Sequence, residues 1–162
     1  MLIAVVLGAL GYRGLHPRVG VRVRYNFVKE DSDIYNAISG GESIETVRKL
    51  VEKKPGLVRS YRFHGQSPLI LAAEHQRSDL VSLFLDMGAD VDSVFEDEGK
   101  INDTTALHIA ASNNDIKTIE VLLKHNANTN LRDRYGRTPL DIAVGFSHTA
   151  AADALNPKKS PQ

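Results

Sequence analysis

Residues 104–130 read TTALHIAASNNDIKTIEVLLKHNANTN. An alanine pair, Ala110-Ala111, leads into the polar turn Ser112–Asn114, and an apolar run then ends in a second polar turn. Within that run Ile116, Ile119, Leu122 and Leu123 fall on one stripe at helical period. A single amphipathic hairpin of this kind has one apolar face and nothing to cover it, so the fold depends on whether the pattern recurs.

It does. SPLILAAEHQRSDLVSLFLDMGADVD from Ser67 and TPLDIAVGFSHTAAADAL from Thr138 align with it, and DIYNAISGGESIETVRKLVEKKPGLV from Asp33 fits with one residue inserted at its Gly-Gly turn. The spacings are 34 from Val47 to Val81, 38 from Ala73 to Ala111 and 33 from Ala111 to Val144. The shared letters have physical roles. Ser67, Thr105 and Thr138 can cap a helix with a hydroxyl. Pro68 and Pro139 follow at the first helical position, where a missing N–H costs nothing. Leu69, Leu107 and Leu140 point inward, and Ala72-Ala73 and Ala110-Ala111 let a neighbouring helix come close. Asp79 and Asp115 begin a second helix, which Gly88 and Asn126 end with a left-handed residue. Each unit is stable only against the next, so the units stack.

The "TALHIAA…HNANTN" and "SPLILAA…MGADVD" segments resemble the ankyrin repeat, with its "TPLHxAA" opening, over about residues 31–156. The resemblance implies an all-α fold: a short solenoid of stacked helix-turn-helix units with hairpin-like tips. About four units are expected, 31–60, 61–97, 98–131 and 132–156, the first and last being atypical caps. Residues 1–30 form an N-terminal extension with strand character, and 157–162 a disordered tail. The resemblance further implies a non-enzymatic module that binds a protein partner through its concave face and hairpin tips. Carried onto this chain, the tips are Phe63, His64 and Gln66; Ile101, Asn102 and Thr104; and Arg134, Tyr135 and Arg137. The inner helix ends supply Glu74 and His75, Ser112 and Asn113, and Gly145 and Phe146. Phe63, Tyr135 and Phe146 are the expected anchors, because aromatic side chains dominate interface energetics.

Three departures stand out. The motif histidine survives only as His108, with Ile70 and Asp141 at the matching positions, and the resemblance gives His108 a scaffold role, tying turns together. The last unit has TAAADAL where a leucine-rich helix would stand, so residues 149–155 are expected to fray first. The 38-residue spacing places about four extra residues in SVFEDEGKIND, within a span (Asp86–Asp103) of seven acids and one base, Lys100. A solvated loop is expected there, or else an acidic finger that steers a basic partner.

The chain has 162 residues, enough for one domain with a core, and no cysteine, which removes disulfides and thiolate chemistry. Net charge is zero, so no nucleic-acid or membrane partner is indicated. That zero conceals residues 1–30, where five basic residues against one acid give +4. The apolar stretch Leu2–Leu10 is too short to span a bilayer. As a signal peptide it lacks a preceding positive charge, and Gly8, Gly11 and Gly14 match no phosphate loop. VGVRVRYNF alternates strictly, with Val19, Val21, Val23, Tyr25 and Phe27 on one side and Arg22 and Arg24 on the other, a half-buried strand pattern. It can pack on the first unit, pair with Leu2–Leu7, or add to a partner's sheet. The six histidines show no i, i+4 pair, and no G-x-S-x-G elbow appears. The basic run VRKLVEKK reads as a solvated helix face. No catalytic residue, metal or cofactor is therefore expected. A cytoplasmic, monomeric module is expected, or an exported one should residues 1–11 act as a leader, the chain then being a regulatory or targeting portion of a larger assembly.

Overall fold

The structure, a computed structural model, describes residues 29–60, 66–97 and 100–156. The expected strand at 19–27, the candidate leader, the tail, and the tip residues Phe63 and His64 lie outside the described residues. Four helix pairs follow one another: α1 (Lys29–Ser39) with α2 (Ile44–Lys53), α4 (Pro68–Glu74) with α5 (Ser78–Asp86), α6 (Ala106–Ser112) with α7 (Ile116–Lys124), and α8 (Pro139–Gly145) with α9 (Thr149–Leu155). A short α3 (Gly56–Ser60) follows the first pair. The first helices pack in series, α1 on α4, α4 on α6 and α6 on α8, and the second helices do the same, α2 on α5, α5 on α7 and α7 on α9. This is a side-by-side solenoid in which each pair supplies the wall its neighbour lacks.

The alanine pairs make the stacking close. Ala72, Ala73, Ala110 and Ala111 are all fully buried, and one apolar cluster runs from Ile34 in the first pair to Leu155 in the last. Its largest buried side chain is Phe84 on α5. The turns are repeated as faithfully as the helices. Gly41, Gln76, Asn114 and Ser147, one in each pair, take φ values of 73°, 55°, 52° and 59°. In the third pair Asn114 N–H donates to the Ala111 carbonyl at 3.3 Å and Asp115 N–H to the Ala110 carbonyl at 2.9 Å. The other three turns close the same two bonds, a Schellman-type ending that satisfies carbonyls the helix leaves open. Gly88 and Asn126, at φ 85° and 62°, end α5 and α7 as the sequence predicts.

The caps follow the hydroxyl pattern. Ser67 accepts from Ile70 N–H and Thr138 from Asp141 N–H, each at 3.2 Å, while Asp115 accepts from Thr118 N–H at 3.2 Å. Asp79 begins its helix in a different way from Asp115. It lies in the first turn of α5, whose cap position is Arg77, and Arg77 holds it with two bonds of 2.9 and 2.8 Å. The acidic insertion also differs from the expected loop. It forms an antiparallel pair, β1 (Val94–Asp97) with β2 (Lys100–Thr105), in the register Val94↔Thr105, Glu96↔Ile101 and Asp97↔Lys100. Between the first two partnered positions β2 advances four residues and β1 only two. The surplus is a bulge, and Asp103 within it takes φ 49°, a left-handed residue of the kind that absorbs an insertion without breaking the ladder.

The fourth pair is the thinnest. On α9 only Ala151 and Leu155 are buried. It is held to the third pair by His148, which donates Nδ1–H to the Ala111 carbonyl at 3.2 Å, and by Ala151 N–H, which donates to Asn114 Oδ1 at 3.3 Å. With one flanking outer helix and little apolar area, α9 should open first. Native-state hydrogen exchange is expected to show amides 149–155 exchanging well before those of α6 and α7. Protection equal to that of the interior helices would contradict this.

Candidate functional site

The turn before α8 is the most elaborated surface among the described residues. Asp133 N–H donates to the Arg137 carbonyl at 2.9 Å and Gly136 N–H to the Asp133 carbonyl at 2.8 Å, folding residues 133–137 into a tight loop. Inside it the Asp133 carboxylate is buried and accepts from Tyr135 N–H and Arg137 N–H, both at 2.9 Å. It also takes the Arg137 guanidinium at 2.9 and 2.7 Å. Burial pushes this carboxyl up, but the Arg137 guanidinium and the two N–H donors outweigh it and hold Asp133 below its ordinary 3.8. Tyr135 projects from the loop, 65% exposed, with the Arg134 and Arg137 guanidinium carbons 4.7 and 4.9 Å from its ring centre. Arg134 also donates to its hydroxyl at 2.6 Å. These contacts fix the direction of the ring while leaving its body open to solvent.

His108 connects this loop to the preceding pair. Thr105 N–H lies 3.3 Å from its Nδ1, and its Nε2 lies 3.1 Å from the Arg137 carbonyl. A donor on Nδ1 places the ring proton on Nε2, so Nε2–H donates across the unit boundary. Burial pushes the His108 pKa below its ordinary 6.5, against the opposing pull of the Arg137 carbonyl and the Asp133 charge. The folded state therefore binds fewer protons than the unfolded chain just below that value. Stability is complete above pH 6.5 and falls as the pH drops beneath it, at a rate bounded by about 1.4 kcal/mol per pH unit for one proton. Urea midpoints between pH 7.5 and 5 are expected to fall more steeply for the native chain than for His108→Gln. Parallel profiles would remove His108 as the cause.

Other expected site residues are distributed along the stack. His75, Asn113 and Phe146 occupy the C-cap of α4, α6 and α8 in turn, all exposed, and form one row along the first helices. Glu74 and Ser112 precede two of them, and Gly145 closes α8. Gln66 forms a β-bridge, and its amide donates to both Glu74 oxygens at 2.7 Å. Partial desolvation raises the Glu74 carboxyl, while Gln66 and His75 pull it the other way. Ile101, Asn102 and Thr104, expected at a hairpin tip, lie on β2, the second strand of the antiparallel pair. Phe146, 57% exposed, stacks on His148 with ring centres 5.7 Å apart. Arg134, Tyr135 and Arg137 are thus brought together, and Phe146 extends the row on the same unit.

Sequence reasoning missed Val144, which is 63% exposed. The 33-residue spacing that matches it to fully buried Ala111 was the available signal, since a terminal unit has no neighbour to cover that position. It also missed Asp133 as the organiser of the loop. Among the described residues no group of three or more His, Cys, Asp or Glu side chains could hold a metal ion, and no helix is long and apolar enough to cross a membrane.

A family model described as ankyrin repeats in three copies matches residues 93–160, and a single ankyrin repeat matches residues 64–94. The chain belongs to the ankyrin repeat family. Similar proteins include a putative glutaminase 3 of Caenorhabditis elegans, 35% identical over 82% of this chain and 20% of its own length. A putative ankyrin repeat protein of fowlpox virus is 34% identical over 64% of this chain and 30% of its own. The mouse ankyrin repeat and SOCS box protein 11 is 34% identical over 77% and 36%. The chain spans between a fifth and a little more than a third of the length of these three, so the catalysis named for the glutaminase is a statement about that larger protein. Ankyrin repeats are in general protein–protein interaction modules, and the family is typically non-enzymatic.

Proposed function

We propose that this chain grips a protein partner through the concave side of its ankyrin stack, with Tyr135 and Phe146 as the anchoring side chains. One observation carries the reading. The large apolar side chains left exposed among the described residues, Tyr135, Val144 and Phe146, all belong to the fourth unit and the loop before it. Two are aromatic and held by neighbours, Tyr135 between guanidinium groups and Phe146 against His148. Little side-chain entropy remains to be lost on binding. The polar row of Glu74, His75, Ser112 and Asn113 then supplies hydrogen-bonding partners beside the anchors. Calorimetry of a partner recovered with the full chain should show that Tyr135→Ala with Phe146→Ala weakens binding by more than about 1 kcal/mol. The melting temperature should be unchanged. Equal affinity would exclude this surface.

A second reading makes the chain a regulatory or targeting portion of a larger or exported assembly. It is supported by the small share of each relative that the match covers and by the apolar stretch Leu2–Leu10. An intact mass lacking about eleven N-terminal residues would favour export, and a retained N-terminus would count against it.

A further inference from the structure

The loop before α8 carries more positive charge than it neutralises. Residues 132–137, RDRYGR, hold three arginines against Asp133. The buried Asp133 carboxylate takes the Arg137 guanidinium, so that cation is answered within the loop. The Arg132 side chain is 65% exposed and stands 4.0 Å from the carboxylate of Asp141, itself exposed, an ion pair of little strength. Arg134 is exposed, and among the described residues its partners include no carboxylate. We propose that this surplus selects the partner: the segment gripped by the fourth unit is acidic, and it presents an Asp or Glu carboxylate to Arg134 beside an apolar side chain that lies on Tyr135. The inference rests on the concave-face reading above and adds the chemistry of what is bound.

Geometry and charge both support this partner. A guanidinium is a planar fork of donors that matches a carboxylate by two parallel hydrogen bonds. Arg134 donates from Nη2 to the Tyr135 hydroxyl at 2.6 Å, which leaves Nε and Nη1 to meet an incoming acceptor. Its guanidinium carbon lies 4.7 Å from the centre of the Tyr135 ring, a contact that holds the fork in place and reduces the rotamer freedom lost on binding. Cation and exposed ring therefore form one surface, which fits a carboxylate adjoining an apolar group. The neighbouring tip favours the same partner by exclusion. His108, bonded to Thr105 at the end of β2, also bonds the Arg137 carbonyl, so the hairpin and this loop are neighbours. Residues 94–103 hold four acids against Lys100. Like charge turns an acidic segment away from the hairpin and confines it to the fourth unit. A basic segment would be drawn the other way, off Tyr135 and Phe146.

A displayed library of random peptides, selected on the full chain and followed by fluorescence anisotropy of single labelled peptides, tests this. The selected peptides should carry Asp or Glu next to an apolar residue. Replacing that acid by its amide should weaken binding to the native chain by about tenfold, as expected for losing a hydrogen bond to a charged group. The same replacement should change binding to Arg134→Gln by less than about twofold. The comparison separates charge recognition from orientation, because an Arg134 that merely aimed Tyr135 would leave the acid-to-amide effect equal in the two chains. Equal effects would overturn the proposal, and so would a selection that yields no acidic binder. Peptides lost in Tyr135→Ala with Phe146→Ala but indifferent to Arg134→Gln would overturn this inference alone. Acidic peptides that bind that double variant as tightly as the native chain would overturn the anchoring reading beneath it, and this inference with it.

Discussion

Phe84→Ala is expected to lower the unfolding free energy by about 3–5 kcal/mol, the range for emptying a fully buried aromatic site. Phe84 is the largest side chain with no exposure in the stack, and α5, which carries it, packs against α2, α4 and α7. Those neighbours belong to all of the first three units, so no single helix can move in to close the void. A domain of this size has about 5–15 kcal/mol in total, so the loss is a large fraction of it. In a solenoid the consequence is more specific than a lower midpoint. Stability is a sum of weak units and strong boundaries, and Phe84 sits beside two of those boundaries. Urea unfolding followed by circular dichroism should show an earlier and shallower transition. The shallow slope would report that the first unit melts separately from the third and fourth. A loss below about 1 kcal/mol would mean that the second unit is not the keystone its burial indicates.

The solenoid was legible because its determinants are local and repeated. Thr138-Pro139, Ala72-Ala73 with Ala110-Ala111, and Gly88 or Asn126 each specify a cap, a close approach or a stop from short-range chemistry. Their recurrence at 33 to 38 residues leaves stacking as the way to bury the apolar stripe. The hairpin at 94–105 was not legible for the opposite reason. Its strands are short and acid-rich, Val94, Phe95 and Ile101 give too few apolar positions for an alternation, and the bulge at Asp103 breaks the period further. The short α3 after Pro55 has five residues, too few for a periodicity. At the candidate site, family resemblance picked out Tyr135 and Phe146, which the structure leaves exposed. What the sequence alone could not convey is the division of labour within DRYGR. Arg137, expected as a contact residue, has its guanidinium on Asp133, and Asp133, which the sequence reading did not single out, holds the loop.

That division makes Asp133→Ala the second large effect. The carboxylate is buried, and three donor groups converge on it: the N–H of Tyr135, the N–H of Arg137, and the Arg137 guanidinium. Alanine leaves two backbone donors in a tight loop with no acceptor, a cost of about 2–3 kcal/mol at the usual penalty for orphaned groups. The Arg137 side chain is 46% exposed, so water can take over its charge, and the larger penalty of a stranded buried ion does not apply. Asp133→Asn separates the two contributions. It retains one oxygen for the N–H donors and gives up the ionic contact, so it should cost less than half as much. The loop also presents the Arg137 carbonyl to His108 and aims Tyr135. Asp133→Ala should therefore abolish the difference in pH profile between the native chain and His108→Gln, and should weaken partner binding although Asp133 itself is shielded from any partner. Thermal denaturation with a parallel binding measurement tests both. A variant that loses stability yet keeps full affinity would show that Tyr135 does not depend on the loop for its orientation, and would detach the anchor from its support.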